Sequence, residues 1–289
     1  MGIGAQEHRM KRRNQSVVTA LPVLTLGPAL IAGCSTHRAN KSFYSGVEKY
    51  DKGDYKGAIS DFSMAIEIEP QFAAAYPNRG LSKTESKDYQ GSISDYDKAL
   101  ELDPELADAL FNRGNSWVYT GDYKESISDY TKYLEINPQN SDAYSNRCNA
   151  KNQLQDYQGA VDDCAKSIAI DSKNAGAYVN RGRAKNALKD HQGAVADYNK
   201  SIELNPQIGL SYSNRAIAIY DLTGDVESAC KDIKKVASLG MEYRINYLNS
   251  EEGQWCRDMW VTRPATSSAQ VDQQTPLPSL NSMGFSLPW

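Results

Sequence analysis

Residues 107–140 read ADALFNRGNSWVYTGDYKESISDYTKYLEINPQN, and this stretch decides the fold. Leu110, Gly114 and Trp117 fall on one face of a first helix. Gly121-Asp122 interrupts the pattern, with Asp122 placed to cap a second helix. Tyr123, Ile127, Tyr130 and Leu134 then line one face at spacings of three and four. Pro138 ends that helix, because proline lacks the amide donor and clashes with the preceding turn.

The same pattern recurs on both sides. Pro70, Pro104, Pro138 and Pro206 lie 34, 34 and 68 residues apart, and Asn78, Asn112, Asn146, Asn180 and Asn214 recur every 34. A fixed period of this length marks a solenoid, whose units bury their apolar faces only against their neighbours. Small residues recur at Gly80, Gly114 and Gly182, at Ala58, Ala160 and Ala194, and at Ala65 and Ala99. Aromatics recur at Tyr76, Tyr144, Tyr178 and Tyr212, and at Phe62, Tyr96, Tyr130 and Tyr198.

This set resembles the tetratricopeptide repeat (TPR). The resemblance implies an all-α, right-handed superhelix of six helix pairs over 39–241, with units 39–72, 73–106, 107–140, 141–174, 175–208 and 209 to about 241. It also implies adaptor or scaffold work without chemistry, and a concave inner wall built from the first helices. Four departures stand out. Tyr133 fills a slot for a small residue, which predicts a splay between the third and fourth units. Ser172 replaces the proline, one extra residue precedes Gly224-Asp225, and Ser42 stands where an aromatic is expected, which predicts a frayed first unit.

Outside the repeats, Glu242–Leu248 and Glu251–Met259 carry short apolar–polar patterns, and Asn249 with Glu252 resembles a capping box, so 242–261 reads as a C-terminal cap of helices. Residues 262–289 turn to Ser, Thr, Gln and Pro with no period and read as a disordered tail.

The N-terminus reads as an export signal. Basic residues at Arg9, Lys11, Arg12 and Arg13 precede an apolar run from Val17 to Gly33, broken by Pro22, Gly27 and Pro28. The run closes on Leu30-Ile31-Ala32-Gly33-Cys34, which resembles the bacterial lipobox. That implies a signal peptide over 1–33, lipidation of Cys34 and a short anchored linker over 34–38 before a first helix near Asn40. The expected location is the bacterial cell envelope, lipid-anchored, at the outer membrane or periplasmic face. Four cysteines follow Cys34, an even number that permits disulfides in an oxidising compartment. Cys230 with Cys256 would staple the cap to the solenoid, and Cys148 with Cys164 is a second pair within one unit.

Charge argues against nucleic acid as a partner. The chain carries 32 Lys+Arg against 36 Asp+Glu, and no basic patch stands out. No nucleophile motif, phosphate loop or metal-ligand spacing appears, so neither catalysis, cofactor nor metal is expected. His191 sits in the slot of Tyr55, Tyr89, Tyr123 and Tyr157 and reads as packing.

Two charged or polar recurrences exceed what packing needs. Arg79, Arg113, Arg147, Arg181 and Arg215 share a first-helix slot, and Asp61, Asp95, Asp129, Asp163 and Asp197 a second-helix slot. The first unit has the aspartate but Ser45 in place of the arginine, so each aspartate is expected to pair with the arginine of the following unit. The asparagine before each arginine falls, by the resemblance, on the concave wall, where an amide can both donate to and accept from a ligand backbone. Asn78, Asn112, Asn146, Asn180 and Asn214 are therefore expected to bind peptide. Asn115, Asn149 and Arg183 join them three residues on, and Asn152 and Asn186 a turn further. Phe111, Tyr119, Arg183 and Tyr220 would supply selectivity. The reading is a membrane-tethered adaptor for peptide segments of partner proteins. The alternative is a pilotin-like lipoprotein that helps assemble an envelope complex.

Overall fold

A computed structural model describes residues 31–239, with side chains from residue 36 onward. Among the described residues there are twelve helices and no strand: α1 (Ile31–Asp51), α2 (Tyr55–Ile68), α3 (Ala75–Glu85), α4 (Tyr89–Leu102), α5 (Ala107–Thr120), α6 (Tyr123–Ile136), α7 (Ser141–Gln153), α8 (Tyr157–Ile170), α9 (Ala175–Ala187), α10 (His191–Leu204), α11 (Gly209–Thr223) and α12 (Val226–Ser238). They form a TPR-like solenoid of helix pairs. The described chain divides into two compact units at Ser172/Lys173, the turn whose proline is missing. The first holds the pairs α1/α2 to α7/α8, and the second holds α9/α10 and α11/α12.

Each second helix starts at an aspartate. Asp54, Asp88, Asp156 and Asp190 accept from the amides of Gly57, Gly91, Gly159 and Gly193, and Asp225 accepts from Ser228. Each such cap stabilises its helix by about 1 kcal/mol. Asp122 holds the cap position of α6, yet its carboxylate does not take an amide there. The Thr120 hydroxyl donates to it instead at 2.7 Å.

Within a pair, a first-helix glycine faces a second-helix ring. A Cβ added at Gly80, Gly114 or Gly182 would lie 3.0, 2.9 or 2.7 Å from the ring of Tyr96, Tyr130 or Tyr198. Glycine is what lets these helices close on a buried tyrosine. In the fourth pair both slots are cysteine, and Cys148 and Cys164 are joined by a disulfide with Cα atoms 5.5 Å apart. The cross-link thus takes the place of the glycine–tyrosine contact.

The third and fourth pairs do not splay at Tyr133. Its ring is buried with Leu110, Leu134 and Ala143, beside Phe111, and Asn140 Nδ2 donates to its hydroxyl at 2.7 Å. The first pair is also well packed: Phe43, next to Ser42, sits 5.5 Å from the Phe62 ring and 4.9 Å from Phe72. The first helix begins at Ile31 rather than near Asn40, so the expected linker over 34–38 is helical backbone. Residues 1–30 and 240–289, with the expected signal, cap, Cys256 and tail, lie outside the described residues, as does the Cys34 side chain.

In the first unit α1 touches α3, α3 touches α5 and α5 touches α7, while second helices do not touch one another. In the second unit α9 likewise touches α11. First helices therefore crowd on the inner side of each unit, and their inward faces form its wall.

Candidate functional site: the wall of first helices

The charged slots hold this wall in register. Arg79 pairs with Asp95, Arg113 with Asp129, Arg147 with Asp163, Arg181 with Asp197 and Arg215 with Asp232, at 2.6 or 2.7 Å. The expected pairing of each aspartate with the next unit's arginine is wrong: every pair lies within one helix pair. The reason appears at the first unit. There Lys49, one turn beyond Ser45, takes Asp61 at 2.7 Å, and Ser45 donates to it as well. The arginine was replaced, not displaced. Lys83, Lys151 and Lys185 make the same second contact to Asp95, Asp163 and Asp197.

The arginines still join units, by another route. The second guanidinium arm donates to Ser63 from Arg79, to Asp97 from Arg113, to Thr131 from Arg147 and to Asn199 from Arg215. Each acceptor lies on the preceding second helix, two residues past its aspartate. Guanidinium suits this because its planar fork serves two acceptors at once. Arg79, Arg147, Arg181 and Arg215 also stand over the rings of Tyr76, Tyr144, Tyr178 and Tyr212. Burial opposes the charge on Arg113, yet its bonds to Asp129 and Asp97 hold its pKa above the ordinary value. For Arg181 the bond to Asp197 outweighs burial and acts in the same direction.

The asparagines divide into spent and available amides. Asn78 Nδ2 donates to the Ala74 carbonyl on its own first turn at 2.7 Å. Asn146 Nδ2 donates across to Asn115 Oδ1 at 3.0 Å, and the Tyr130 hydroxyl donates to the same oxygen at 2.6 Å. Asn115 is buried and ties α5 to α7 and α6, so it is structural rather than a groove contact. Asn152 and Asn214 are buried too. Asn180 and Arg183 are half-buried and already engaged; burial pushes the Tyr198 phenol pKa up, and the charge of Arg183 acts against that rise. Asn186 accepts or donates to His191 Nδ1 at 2.7 Å.

Asn112 and Asn149 differ. Both are half-buried on the wall of the first unit, and neither side chain has a hydrogen bond among the described residues. For Asn149 the cause is visible. It occupies the slot of Asn115, and Cys164 occupies the slot of Tyr130, which bonds Asn115. With a disulfide where the phenol would be, Asn149 keeps its amide.

Of the aromatics, Phe111 packs on Tyr130 and Tyr133, and Tyr220 packs on Ala216, Ala229 and Ile233, so both are core residues. Tyr119 stacks on Tyr89 with ring centres 4.4 Å apart. The residue missed in the sequence is Tyr44, 58% exposed. It stands 34 residues before Asn78 and is the first rung of the asparagine slot, a position legible by counting back one period. No group of three or more His, Cys, Asp or Glu able to hold a metal occurs among the described residues. No described helix is long and apolar enough to cross a membrane.

Comparison with known families places these features. The family described as tetratricopeptide repeat matches residues 107–140 and again 175–208, and the TPR repeat matches 80–118. The chain therefore carries tetratricopeptide repeats. No curated protein matches it. Among solved structures it is similar to MamA, at 25% identity and a TM-score of 0.50 over 57% of this chain and 95% of that one. A tetratricopeptide repeat protein of Parabacteroides merdae shares 23% identity with a TM-score of 0.63 over 70% of this chain and 80% of that one. YrrB, described as a TPR protein with an unusual peptide-binding site, shares 20% identity with a TM-score of 0.51 over 65% of this chain and 98% of that one.

Proposed function

We propose that this protein is an envelope adaptor, tethered through acyl chains on Cys34, that binds extended peptide segments of partner proteins along the first-helix wall of its first unit. The observation that carries the reading is the pair of unspent amides, Asn112 and Asn149, set among residues whose hydrogen bonds are otherwise committed. An amide at the wall donates to and accepts from a peptide backbone and is indifferent to side chains. Tyr44, at the same slot of the first pair, adds an apolar contact at one end. The tether rests on the lipobox-like run ending at Cys34, and two or more acyl chains suffice for stable anchoring.

The test is binding by a double variant, Asn112→Ala with Asn149→Ala. Each lost hydrogen bond costs on the order of 1 kcal/mol, so affinity for the partner segment should fall by roughly 30-fold, with circular dichroism unchanged. Unaltered affinity, or binding only to folded subunits and never to a peptide, favours the pilotin-like assembly role instead. For the anchor, Cys34→Ala should release the protein from membranes and abolish acylation.

A further inference from the structure

Helix α1 runs 21 residues, where the later first helices run 11 to 15. The excess lies at its start. Ala39 is the periodic equivalent of Ala107, Ser141, Ala175 and Gly209, and α1 begins at Ile31, two turns before it. At 1.5 Å per residue this extension adds about 12 Å of helix.

Two stripes run along α1. Ala39, Phe43 and Gly46, at i, i+4 and i+7, are buried, and Phe43 packs on Phe62. Cys34, Arg38 and Lys41 have the same spacing on a second stripe, roughly 140° round the helix from the first. Arg38 and Lys41 are exposed, with His37 exposed beside them. None of these three side chains has a hydrogen bond or ion pair among the described residues.

In later pairs the first helix meets a preceding second helix, to which Arg79, Arg113, Arg147 and Arg215 each send a guanidinium arm. Among the described residues no second helix precedes α1, and the arginine slot holds Ser45, which turns to Asp61. The cations of α1 are therefore not there to join units. Residues 31–47 also hold no acid, and the first one after them, Glu48, is taken by Lys52. Over the whole chain acids exceed bases, 36 to 32. A local surplus of positive charge on this stripe complements a negatively charged lipid surface, which favours each nearby Lys or Arg by about fivefold.

We infer that Arg38 and Lys41, with His37 beside them, dock on the anionic headgroups of the bilayer, so that the α1 end of the first unit lies on the membrane and the wall does not. This docking rests on the acyl tether at Cys34 proposed above. The tether supplies residence at the surface, and the cations supply orientation, because two cations alone hold a protein there only weakly.

The experiment is lysine acetylation of the acylated protein on vesicles, read by mass spectrometry. One set is phosphatidylcholine alone, and the other is equal parts phosphatidylcholine and phosphatidylglycerol. Modification of Lys41 should be about tenfold slower on the anionic set, while Lys132, exposed on a second helix, should react equally on both. High salt should abolish the difference, and Arg38→Gln should give back about fivefold of it. Equal rates at Lys41 on both sets, or protection of Lys132 in its place, would overturn the docking. The same digest reports the mass of Cys34, which tests the tether separately. Should Cys34 carry no acyl chain, the tether fails, and the docking is read on the same protein coupled through the Cys34 thiol to a maleimide lipid. The same protection of Lys41 is expected there, and its absence refutes the docking on its own.

Discussion

Replacing the Cys148–Cys164 bond by the contact that it supplants tests the repeat logic and the wall together. The variant is Cys148→Gly with Cys164→Tyr, which copies Gly114 and Tyr130 of the preceding pair. The disulfide spans 16 residues, and a loop of that size contributes about 3 kcal/mol in the chain-entropy model. A buried tyrosine ring returns about 2 kcal/mol, and a phenol bonded to Asn149, as Tyr130 is to Asn115, returns about 1 kcal/mol. The double variant should therefore unfold within about 1 kcal/mol of the oxidised protein. Cys148→Ser with Cys164→Ser loses the cross-link and gains no ring, so it should fall by about 3 kcal/mol. Cys164→Tyr alone should be worse than either, because a Cβ at the equivalent Gly114 lies only 2.9 Å from the tyrosine ring. Urea unfolding, followed by circular dichroism and compared as midpoints, ranks the three. Peptide binding supplies a second readout: the introduced phenol occupies Asn149, so affinity should drop by about fivefold in the stable double variant. A glycine–tyrosine variant no more stable than the serine pair, or a harmless single tyrosine, would refute the equivalence of these slots.

Asp129→Ala strands the largely buried Arg113 guanidinium and should cost about 3 kcal/mol. Asp97→Ala removes a half-exposed partner of the same arginine and should cost under about 1 kcal/mol, both read by thermal melting. Lys87, Gln155 and Lys189 hold φ near +65° at the turn where Gly53, Gly121 and Gly224 serve the other pairs, so each substitution to glycine should stabilise by about 1 kcal/mol, raising the melting midpoint. The Asp61 carboxyl is opposed by burial but held below its ordinary pKa by Lys49 and Ser45. Its contribution is complete above the ordinary carboxylate range near pH 4 and disappears as pH falls through the lowered value. Acid titration of the first pair, followed by exchange at α1 and α2, should lose that component in Asp61→Asn.

The period and the helix pairing were legible because the 34-residue repeat of proline, small residue and aromatic leaves one way to bury each face. The ion pairs were misread for a definite reason. Spacing alone gives two partners for each aspartate, and the end effect at Ser45 favoured the wrong one until Lys49 is seen one turn on. Helix α11 adds one residue before Gly224-Asp225, so the aspartate of α12, Asp232, falls outside the strict period. The asparagine column was visible, but whether an amide is spent depends on contacts between helices far apart in sequence, as between Asn115 and Asn146. The significance of Cys148 and Cys164 lay in their register with Gly114 and Tyr130, which their identity as cysteines obscured.

Site-specific photo-crosslinking in intact cells tests the adaptor account most directly. A photo-reactive residue replaces either Asn112, on the first-helix wall, or Lys132, exposed on a second helix. The account predicts that the wall position captures an extended segment of a partner protein, reproducibly mapped by mass spectrometry, and that an excess of the matching synthetic peptide suppresses the product. Capture from the second-helix position alone, or a wall product that no peptide competes away, would contradict it.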